Sequence, residues 1–234
     1  MAPRVWPTLL SATPASNGGG VASADLLPLE LARLHWDTAV GETVEFRAAV
    51  PGDLLDGAGF AVVDAGPPAV VCRLRTLPDT VGPGLRALVC GLNPSLVAAD
   101  AGFGYAGPSN RFWPVALAAG LVTRARDPLH ALVVDHVGMT DLVKRATPSA
   151  AALAADEYRA GAARVRRLVG RLQPRLVLFV GLAGWRAAAD PRARPGWQPG
   201  GWGGAPAYVM PSTSGLNART PRAALENHVR AAVA

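Results

Sequence analysis

The chain has 234 residues, 50% of them hydrophobic and 17% charged, which is the balance of a globular protein large enough to bury a full core. Its apolar runs fall short of the ~18 residues needed to span a bilayer, and its N-terminus lacks the continuous apolar core of a signal peptide. Its 2 cysteines cannot form a four-cysteine metal or iron-sulfur site. We therefore expect a cytoplasmic protein without a membrane partner.

The net charge of +6 is unevenly distributed along the chain. Residues 1–75 carry 5 Arg and 8 acids, a balance of −3, whereas residues 76–234 carry 18 Lys or Arg and 9 acids, a balance of +9. A strongly basic unit indicates a polyanionic partner such as nucleic acid. The alternative is a genomic bias, because 17 of those 18 cations are Arg in a chain rich in Ala, Gly and Pro.

The N-terminal third is predicted to consist of a tail and a small appendage. Residues 1–22, rich in Pro, Ser and Gly, are typical of a disordered tail. Residues 23–77 predict a small appendage of unknown role. Within it, strand-like runs at 43–50, 59–65 and 69–77 are separated by Gly, Pro and Asp.

From residue 78 onward, strands and helices alternate. Apolar runs predict four strands, at residues 86–91, 131–141, 175–181 and 207–211. Amphipathic runs predict three helices, at residues 111–120, 156–174 and 220–234. This alternation predicts an α/β fold, a three-layer sandwich whose central sheet is mostly parallel. Ligands of such sheets bind at the carboxyl ends of the strands, and Asn93 lies at such an end.

The helix at 156–174 carries several arginines on one face. Its apolar face runs through Tyr158, Val165 and Leu172, and Arg164, Arg167 and Arg171 lie on another. Because a charged helix face is usually solvated, we expect these arginines to face water rather than DNA.

Two other patterns indicate different chemistry. "GFGYAG", residues 102–107, matches the G-x-G-x-x-G of dinucleotide sites, with Asp135 as a candidate ribose ligand, and together they would suit a nicotinamide-dependent oxidoreductase. That motif must follow its strand directly and open a helix, which favours a turn-rich loop here. His130, Asp135 and His136 lack the spacing of a helical zinc pair, so we expect no metal site.

Five segments in order resemble one enzyme family. They are "GLNPS" (91–95), "YAGPSNRFW" (105–113), "GMTDLVKRATP" (138–148), "LQPRLVLFVG" (172–181) and "YVMPSTSGLNA" (208–218). Together they resemble the mismatch-specific uracil/thymine DNA glycosylases, the second family of the uracil-DNA glycosylase superfamily, over about residues 80–234. The resemblance implies a base excision repair enzyme that removes uracil opposite guanine from double-stranded DNA, as a monomer without a cofactor. Thymine and ethenocytosine stay open as substrates.

The resemblance also implies roles for residues around the first motif. Asn93 would be catalytic, its carbonyl oxygen positioning the attacking water, because an amide does not accept a proton at neutral pH. The pocket for the flipped base would be formed by Gly91, Leu92, Tyr105 and Asp141, with Tyr105 against the base. The alternative for Asn93 is a turn former before proline.

The second motif would enter the DNA. By the resemblance, the residues that contact DNA are Ser212, Thr213, Ser214, Gly215, Leu216 and Asn217. The hydroxyls and N–H groups of the first three suit phosphates, Leu216 would fill the space left by the flipped nucleotide, and Asn217 would face the widowed guanine. Ala218 stands where relatives often have a basic residue. A noncatalytic module that binds mismatched DNA is the alternative function.

Overall fold

The computed structural model describes residues 4–5 and 23–234 of the protein. In the N-terminal unit, defined as residues 23–77 with the strand at residues 4–5, there are two helices, α1 (Ser23–Asp37) and α2 (Gly52–Gly57). Its four strands are β1 (Arg4–Val5), β2 (Thr43–Phe46), β3 (Phe60–Asp64) and β4 (Ala69–Arg73). They form a sheet in the order β1-β2-β4-β3. Apart from β1, the predicted tail lies outside the described residues.

The N-terminal unit has a hydrophobic cluster of its own. Its buried side chains are Leu31, Leu34, Val44, Phe46, Leu54, Leu55, Ala58, Phe60 and Val71. The runs predicted as strands correspond to β2, β3 and β4. Helix α1 was not predicted, since Pro28 lies inside it and proline usually breaks a helix.

The C-terminal unit, residues 78–234, is built on a five-stranded sheet. Its strands are β5 (Ala87–Gly91), β6 (Val137–Asp141), β7 (Val177–Val180), β8 (Gly196–Trp202) and β9 (Ala205–Met210). Its helices are α3 (Leu96–Ala101), α4 (Phe112–Ala118), α5 (Pro128–Val133), α6 (Ala155–Leu172), α7 (Leu182–Ala188) and α8 (Arg222–Val233), with a 3-10 turn at Ala150–Ala152. The strand order is β6-β5-β7-β9-β8, and only β8 pairs antiparallel among these five. The predicted α/β fold is confirmed.

Helices cover both faces of this sheet. Along β5 all five residues are buried, and their side chains alternate between the faces. Leu88 and Cys90 join the cluster under α6 and α7, whereas Ala87 and Val89 join the cluster under α4 and α8. The alternation places β5 in the middle layer, so the loop after it opens at the edge of the sheet.

The segment at 131–141 was predicted wrongly as one strand. Its first part belongs to α5, which begins at Pro128 with Asp127 as its cap, the Asp127 side chain accepting from the N–H of His130. His136, with φ of +53°, turns the chain before β6 starts at Val137. Proline in the first turn and an Asp cap are start signals of a helix, and a short apolar run after them cannot be told from a strand by periodicity.

The predicted solvated face of α6 is also wrong in part. Arg164 is 3% exposed and its guanidinium pairs with Asp79 at 2.5 Å. Arg167 and Arg171 lie 3.8 and 3.3 Å from Asp53 of α2. The acidic N-terminal unit therefore docks beside the basic face of α6, where the side chains of Arg167 and Arg171 stay 59% and 39% exposed.

Candidate active site

The predicted site residues of the first motif lie at the carboxyl ends of β5 and β6. These neighbouring strands run parallel, with Gly91 and Asp141 in register as their last residues. The pairing continues one step further, because the N–H of Leu142 donates to the oxygen of Gly91 at 2.9 Å and the N–H of Val143 to that of Leu92 at 2.9 Å. The backbone around the first motif is therefore fixed by the sheet.

Asn93 lies two residues after β5, and its side-chain amide is held in one orientation. Nδ2 donates to the backbone oxygens of Pro94 (3.1 Å) and Arg145 (3.0 Å) and to Oγ1 of Thr147 (2.8 Å). Carbonyl oxygens can only accept, so the amide atom that faces them is the NH₂ group. The Thr147 hydroxyl can accept because it donates its own hydrogen to the oxygen of Ser149 at 2.9 Å. No donor in the described part of the chain reaches Oδ1 of Asn93, which can therefore accept from a ligand or water.

Thr147 is a residue that the sequence analysis missed as part of the site. Besides contacting Asn93, its N–H donates to the oxygen of Pro94 at 3.1 Å, and it forms an isolated parallel bridge with Ser95. It lies 54 positions beyond Asn93 in the chain. A single sequence carries no signal for so distant a pairing.

Gly91, Tyr105 and Asp141 converge at one point. A side chain at position 91 would collide with Oδ1 of Asp141 and would approach the Tyr105 hydroxyl to 3.1 Å, so only glycine leaves this space open. The Tyr105 ring stacks on Phe112, with centroids 4.0 Å apart and planes inclined by 21°. Its hydroxyl is buried and has no hydrogen-bond partner within the described part of the chain. Three of the four residues predicted for the base pocket are therefore brought together.

Asp141 carries the perturbed carboxyl of this pocket. Its pKa is raised to about 6, chiefly by burial; Asp79 adds to this rise, whereas Lys144 and Arg164 oppose it. No donor among the residues at 4–5 and 23–234 reaches either of its carboxylate oxygens. An acceptor without a donor is thus placed beside the Tyr105 ring.

The Leu92 side chain does not take part in this pocket. It packs against the cluster beneath α6 and α7, and its Cδ1 would lie 2.9 Å from a side chain placed at Gly184 of α7. It is the backbone of Leu92 that lies near the site. The pocket residue predicted at this position is therefore a packing residue of the core.

The second-motif loop, residues 211–220, is held by the start of α4. The guanidinium of Arg111 donates to the backbone oxygens of Thr220 (2.6 Å), Asn217 (2.7 Å) and Ser214 (3.2 Å). Thr213 is 1% exposed, and its hydroxyl donates to Oδ1 of Asn110 at 3.0 Å. The sequence analysis assigned no role to Arg111, although "SNRFW" was among the resembling segments. Three backbone acceptors on one guanidinium fix the shape of this loop.

Comparison with known proteins assigns the family. The profile of the Uracil DNA glycosylase superfamily matches residues 78–234. The chain belongs to the uracil DNA glycosylase superfamily. Among solved structures it is similar to the solution NMR structure of "a putative Uracil DNA glycosylase from Methanosarcina acetivorans", with 23% sequence identity, 67% of this chain and 96% of that chain covered, and a TM-score of 0.47.

Membership in the uracil DNA glycosylase superfamily supports a DNA glycosylase function, which is hydrolysis of a base–sugar bond in DNA during repair. Within the second-motif loop of this glycosylase, the most exposed large apolar side chain is that of Leu216, which is 97% exposed. Gly215 beside it packs against Ser109, because a side chain at 215 would lie 2.5 Å from Oγ of that serine. Nδ2 of Asn217 donates to the oxygen of Ser212 at 2.8 Å and to Oγ1 of Thr220 at 3.1 Å, and no donor among the described residues reaches its Oδ1.

The residues that suggested a dinucleotide or metal site have structural roles in this glycosylase. Asp135 is buried, and its carboxylate accepts from the N–H and the hydroxyl of Thr123 at 3.0 and 2.8 Å. His130 also contacts the Thr123 hydroxyl, at 2.8 Å. Residues 102–107 follow α3 and form turns rather than a strand-to-helix loop. Among residues 4–5 and 23–234 no cluster of metal-ligating side chains occurs. No helix in the described part of the chain is long and apolar enough to cross a membrane.

Proposed function

We propose that the protein is a monofunctional, mismatch-specific glycosylase of the second family, which flips uracil opposite guanine out of double-stranded DNA and hydrolyses its N-glycosidic bond. The observation that supports this most is the fixed amide of Asn93, whose NH₂ group is held by Arg145 and Thr147 while Oδ1 stays free. Thymine and ethenocytosine opposite guanine are candidate further substrates. We further propose that the protein acts as a monomer, and the cytoplasmic location stays a prediction.

Asn93 would act on the water rather than on the base. As the glycosidic bond breaks, the sugar gains positive character and the uracil gains negative charge, and preorganised dipoles can lower this barrier without a covalent nucleophile. Oδ1 of Asn93 accepts a hydrogen bond from the water and orients it toward the sugar carbon. The sugar keeps the hydroxyl of that water, and the departing base takes up the proton.

The pocket would select the base. The base would enter beside the Tyr105 ring, and stacking on an aromatic side chain typically contributes ~1–3 kcal/mol per base. The carboxylate of Asp141 can accept a hydrogen bond from the N3–H of uracil. Cytosine has no hydrogen at N3, so the same carboxylate would repel its lone pair. This contact supports removal of uracil over the normal base.

The test is base release from defined duplexes. The protein is incubated with duplexes that hold U, T or ethenocytosine opposite G, and with a normal C:G duplex as control, and the products are treated with alkali, which breaks the strand at abasic sites. Strand breaks at uracil and none in the C:G duplex are expected. Tight binding to the G:U duplex without breaks in any duplex would instead identify a noncatalytic mismatch-binding module.

The Leu216 side chain is expected to act in flipping alone. Extruding a base costs a few kcal/mol, which a side chain filling the gap helps to offset. We therefore expect Leu216→Ala to weaken binding of the abasic product by ~10- to 100-fold. Each factor of ten corresponds to about 1.4 kcal/mol of binding free energy. Excision from single-stranded uracil DNA, where no pair must open, should suffer less.

The control for Leu216→Ala is Leu26→Ala, which truncates another exposed leucine, at 40% exposure on α1. Fluorescence anisotropy with labelled duplex measures both variants. Equal loss of DNA affinity in the two variants would show that truncating any exposed leucine weakens binding. Equal loss of excision rate on single-stranded and double-stranded substrates would contradict a role of Leu216 in flipping.

The pKa of the Asp141 carboxyl predicts how the rate of uracil excision changes with pH. With the pKa of Asp141 near 6, the carboxylate that accepts from N3–H is present above that pH and is lost below it. Single-turnover excision should fall about tenfold between pH 7 and pH 5, because ~10% of a group is ionised one unit below its pKa. The charged groups that act on Asp141 are Lys144, Asp79 and Arg164.

The matched variant is Asp141→Asn, whose amide oxygen still accepts a hydrogen bond but does not titrate. We expect its rate to change little with pH between 5 and 8. A wild-type rate that increases as the pH falls below 6 would mean that the protonated carboxyl is the active form, which would overturn the N3–H assignment.

A further inference from the structure

The N-terminal unit contacts both sides of the proposed base pocket. One side, called the tyrosine wall, is residues 100–105, which end in Tyr105. The other, called the aspartate wall, is residues 141–147, which start at Asp141 and hold the Asn93 amide through Arg145 and Thr147. Residues 75–80, which span the boundary of the two units, run between these walls.

On the tyrosine wall, three contacts come from the N-terminal unit. Nε1 of Trp36 in α1 donates to the backbone oxygen of Gly102 at 3.1 Å. Arg75 makes a two-pronged ion pair with Asp100, at 2.7 and 2.6 Å. The side chain of Leu77 packs on the backbone at Gly104, where an added Cβ would lie 3.9 Å from its Cδ1. Each contact falls within five residues of Tyr105.

Tyr105 needs such support because of its backbone. Its φ is +60°, a conformation that non-glycine residues adopt rarely and keep only where their surroundings fix it. Two tryptophan N–H groups fix the backbone before it: Trp36 donates to Gly102, and Trp113 of α4 donates to the oxygen of Gly104 at 2.9 Å. One of these two anchors belongs to the N-terminal unit.

On the aspartate wall, the contacts are to the backbone and to buried charges. The hydroxyl of Thr76 donates to the backbone oxygen of Lys144. Asp79 pairs with the Lys144 ammonium at 2.9 Å and with Arg164 at 2.5 Å. Arg164 in turn donates to the backbone oxygen of Asp141 at 2.6 Å. Residues 76–79 therefore reach both ends of the turn that follows β6.

The two walls also share a small cavity behind the pocket. It has a volume of about 20 Å³ and is lined by Leu77 and Pro78 on one side and by Tyr105 and Asp141 on the other. A space of this size holds about one water molecule. A shift of residues 77–78 would therefore alter the back of the pocket directly.

We propose that the N-terminal unit is a positioning element of the base pocket, with Trp36 and Thr76 as its positioning residues for the tyrosine wall and the aspartate wall. The proposal rests on the proposed function, since it concerns the pocket that takes the flipped base. The unit does not touch the reacting atoms; it keeps Tyr105 and Asp141 at a fixed separation. Residues 76–234 carry the positive charge, so DNA affinity should depend little on the N-terminal unit.

The experiment uses the full chain and three readouts. Trp36→Ala and Thr76→Val are expected to slow single-turnover excision from a G:U duplex by ~10- to 100-fold, as misplacement of supporting residues does, with little change in the dissociation constant for the duplex. Thr76→Ser, which keeps the hydroxyl, should restore the rate. Amide hydrogen exchange should rise in residues 100–105 of Trp36→Ala and in residues 141–147 of Thr76→Val, each in its own wall.

The matched control is Trp197→Ala, which makes the same chemical change at a tryptophan 54% exposed on the edge strand β8. A second control, Val44→Ala, weakens the N-terminal core without touching either wall. Wild-type rates and unchanged exchange in Trp36→Ala and Thr76→Val would overturn the proposal, as would equal slowing by Val44→Ala. If the wild type releases no base, the proposed function fails, and the exchange pattern still decides whether the walls are held.

Discussion

Asn93→Ala is expected to slow single-turnover excision of uracil from a G:U duplex by ~100- to 1000-fold, the loss associated with removing one preorganised polar group. The NH₂ of Asn93 is fixed by three acceptors, at 2.8–3.1 Å, and only Oδ1 is left to hold a water. Alanine removes that oxygen and leaves Tyr105, Asp141 and Leu216 in place. Affinity for the G:U duplex should therefore stay close to that of the wild type.

The control for Asn93→Ala is Asn227→Ala, which removes an amide from the exposed face of α8, where Asn227 contacts only Arg230 among the described residues. Rapid-quench excision and anisotropy titration of the same duplex measure rate and affinity separately. Wild-type excision by Asn93→Ala would reduce Asn93 to a turn residue before proline, and the glycosylase mechanism proposed above would have to be abandoned.

Asp79→Ala is expected to lower the free energy of unfolding by ~3–5 kcal/mol, because removing one partner of a buried ion pair leaves the others uncompensated. Lys144, 7% exposed, would lose its carboxylate, and Arg164, 3% exposed, would keep only the longer pair with Asp56 at 3.5 Å. Urea unfolding at neutral pH measures the change. Glu30→Ala is the control: it breaks an exposed pair with Arg33, and such pairs contribute ~0–1 kcal/mol.

The pKa of Asp79 determines how the stability difference between wild type and Asp79→Ala changes with pH. Burial alone would raise the pKa of Asp79, but Arg164, Lys144 and the hydroxyl of Thr140 together lower it below its ordinary value. A carboxyl with a lowered pKa stabilises the fold above its unfolded pKa of ~3.9, and that stabilisation is lost as the pH falls through the folded value. The difference between wild type and Asp79→Ala should thus be largest near neutral pH and shrink below about pH 4. A difference that grows in acid would contradict an ionised Asp79.

The strand ends of the site could be predicted because they depend on local sequence. The apolar run at residues 86–91 stops where Asn93 and Pro94 begin, and a buried strand followed by turn residues is visible without any tertiary information. Parallel order then brings Gly91 and Asp141 side by side, as the register shows. Leu92 was assigned to the pocket by the family resemblance, but the alternation along β5 turns its side chain into the core with Leu88 and Cys90.

What could not be predicted depends on partners distant in sequence. Arg164 lies on the charged face of its helix by periodicity, but Asp79, 85 positions earlier, and Asp56 of the docked N-terminal unit both pair with it there. The same holds for Arg111, which bonds carbonyls more than 100 positions away. A helical pattern tells which face is polar, but it does not tell whether water or another part of the chain covers that face.

The burial of Lys144 has a consequence for chemical labelling. Lys144 is the one lysine in the sequence. Its ammonium lies against Asp79 with 6% of the side chain exposed, between the two units. Amine-directed reagents modify uncharged, solvent-accessible amines, so the docked protein offers them no lysine to acylate. Acylation at position 144 therefore reports opening of the contact that buries Lys144 beside Asp79 and Thr76, with no engineered probe and no catalytic assay.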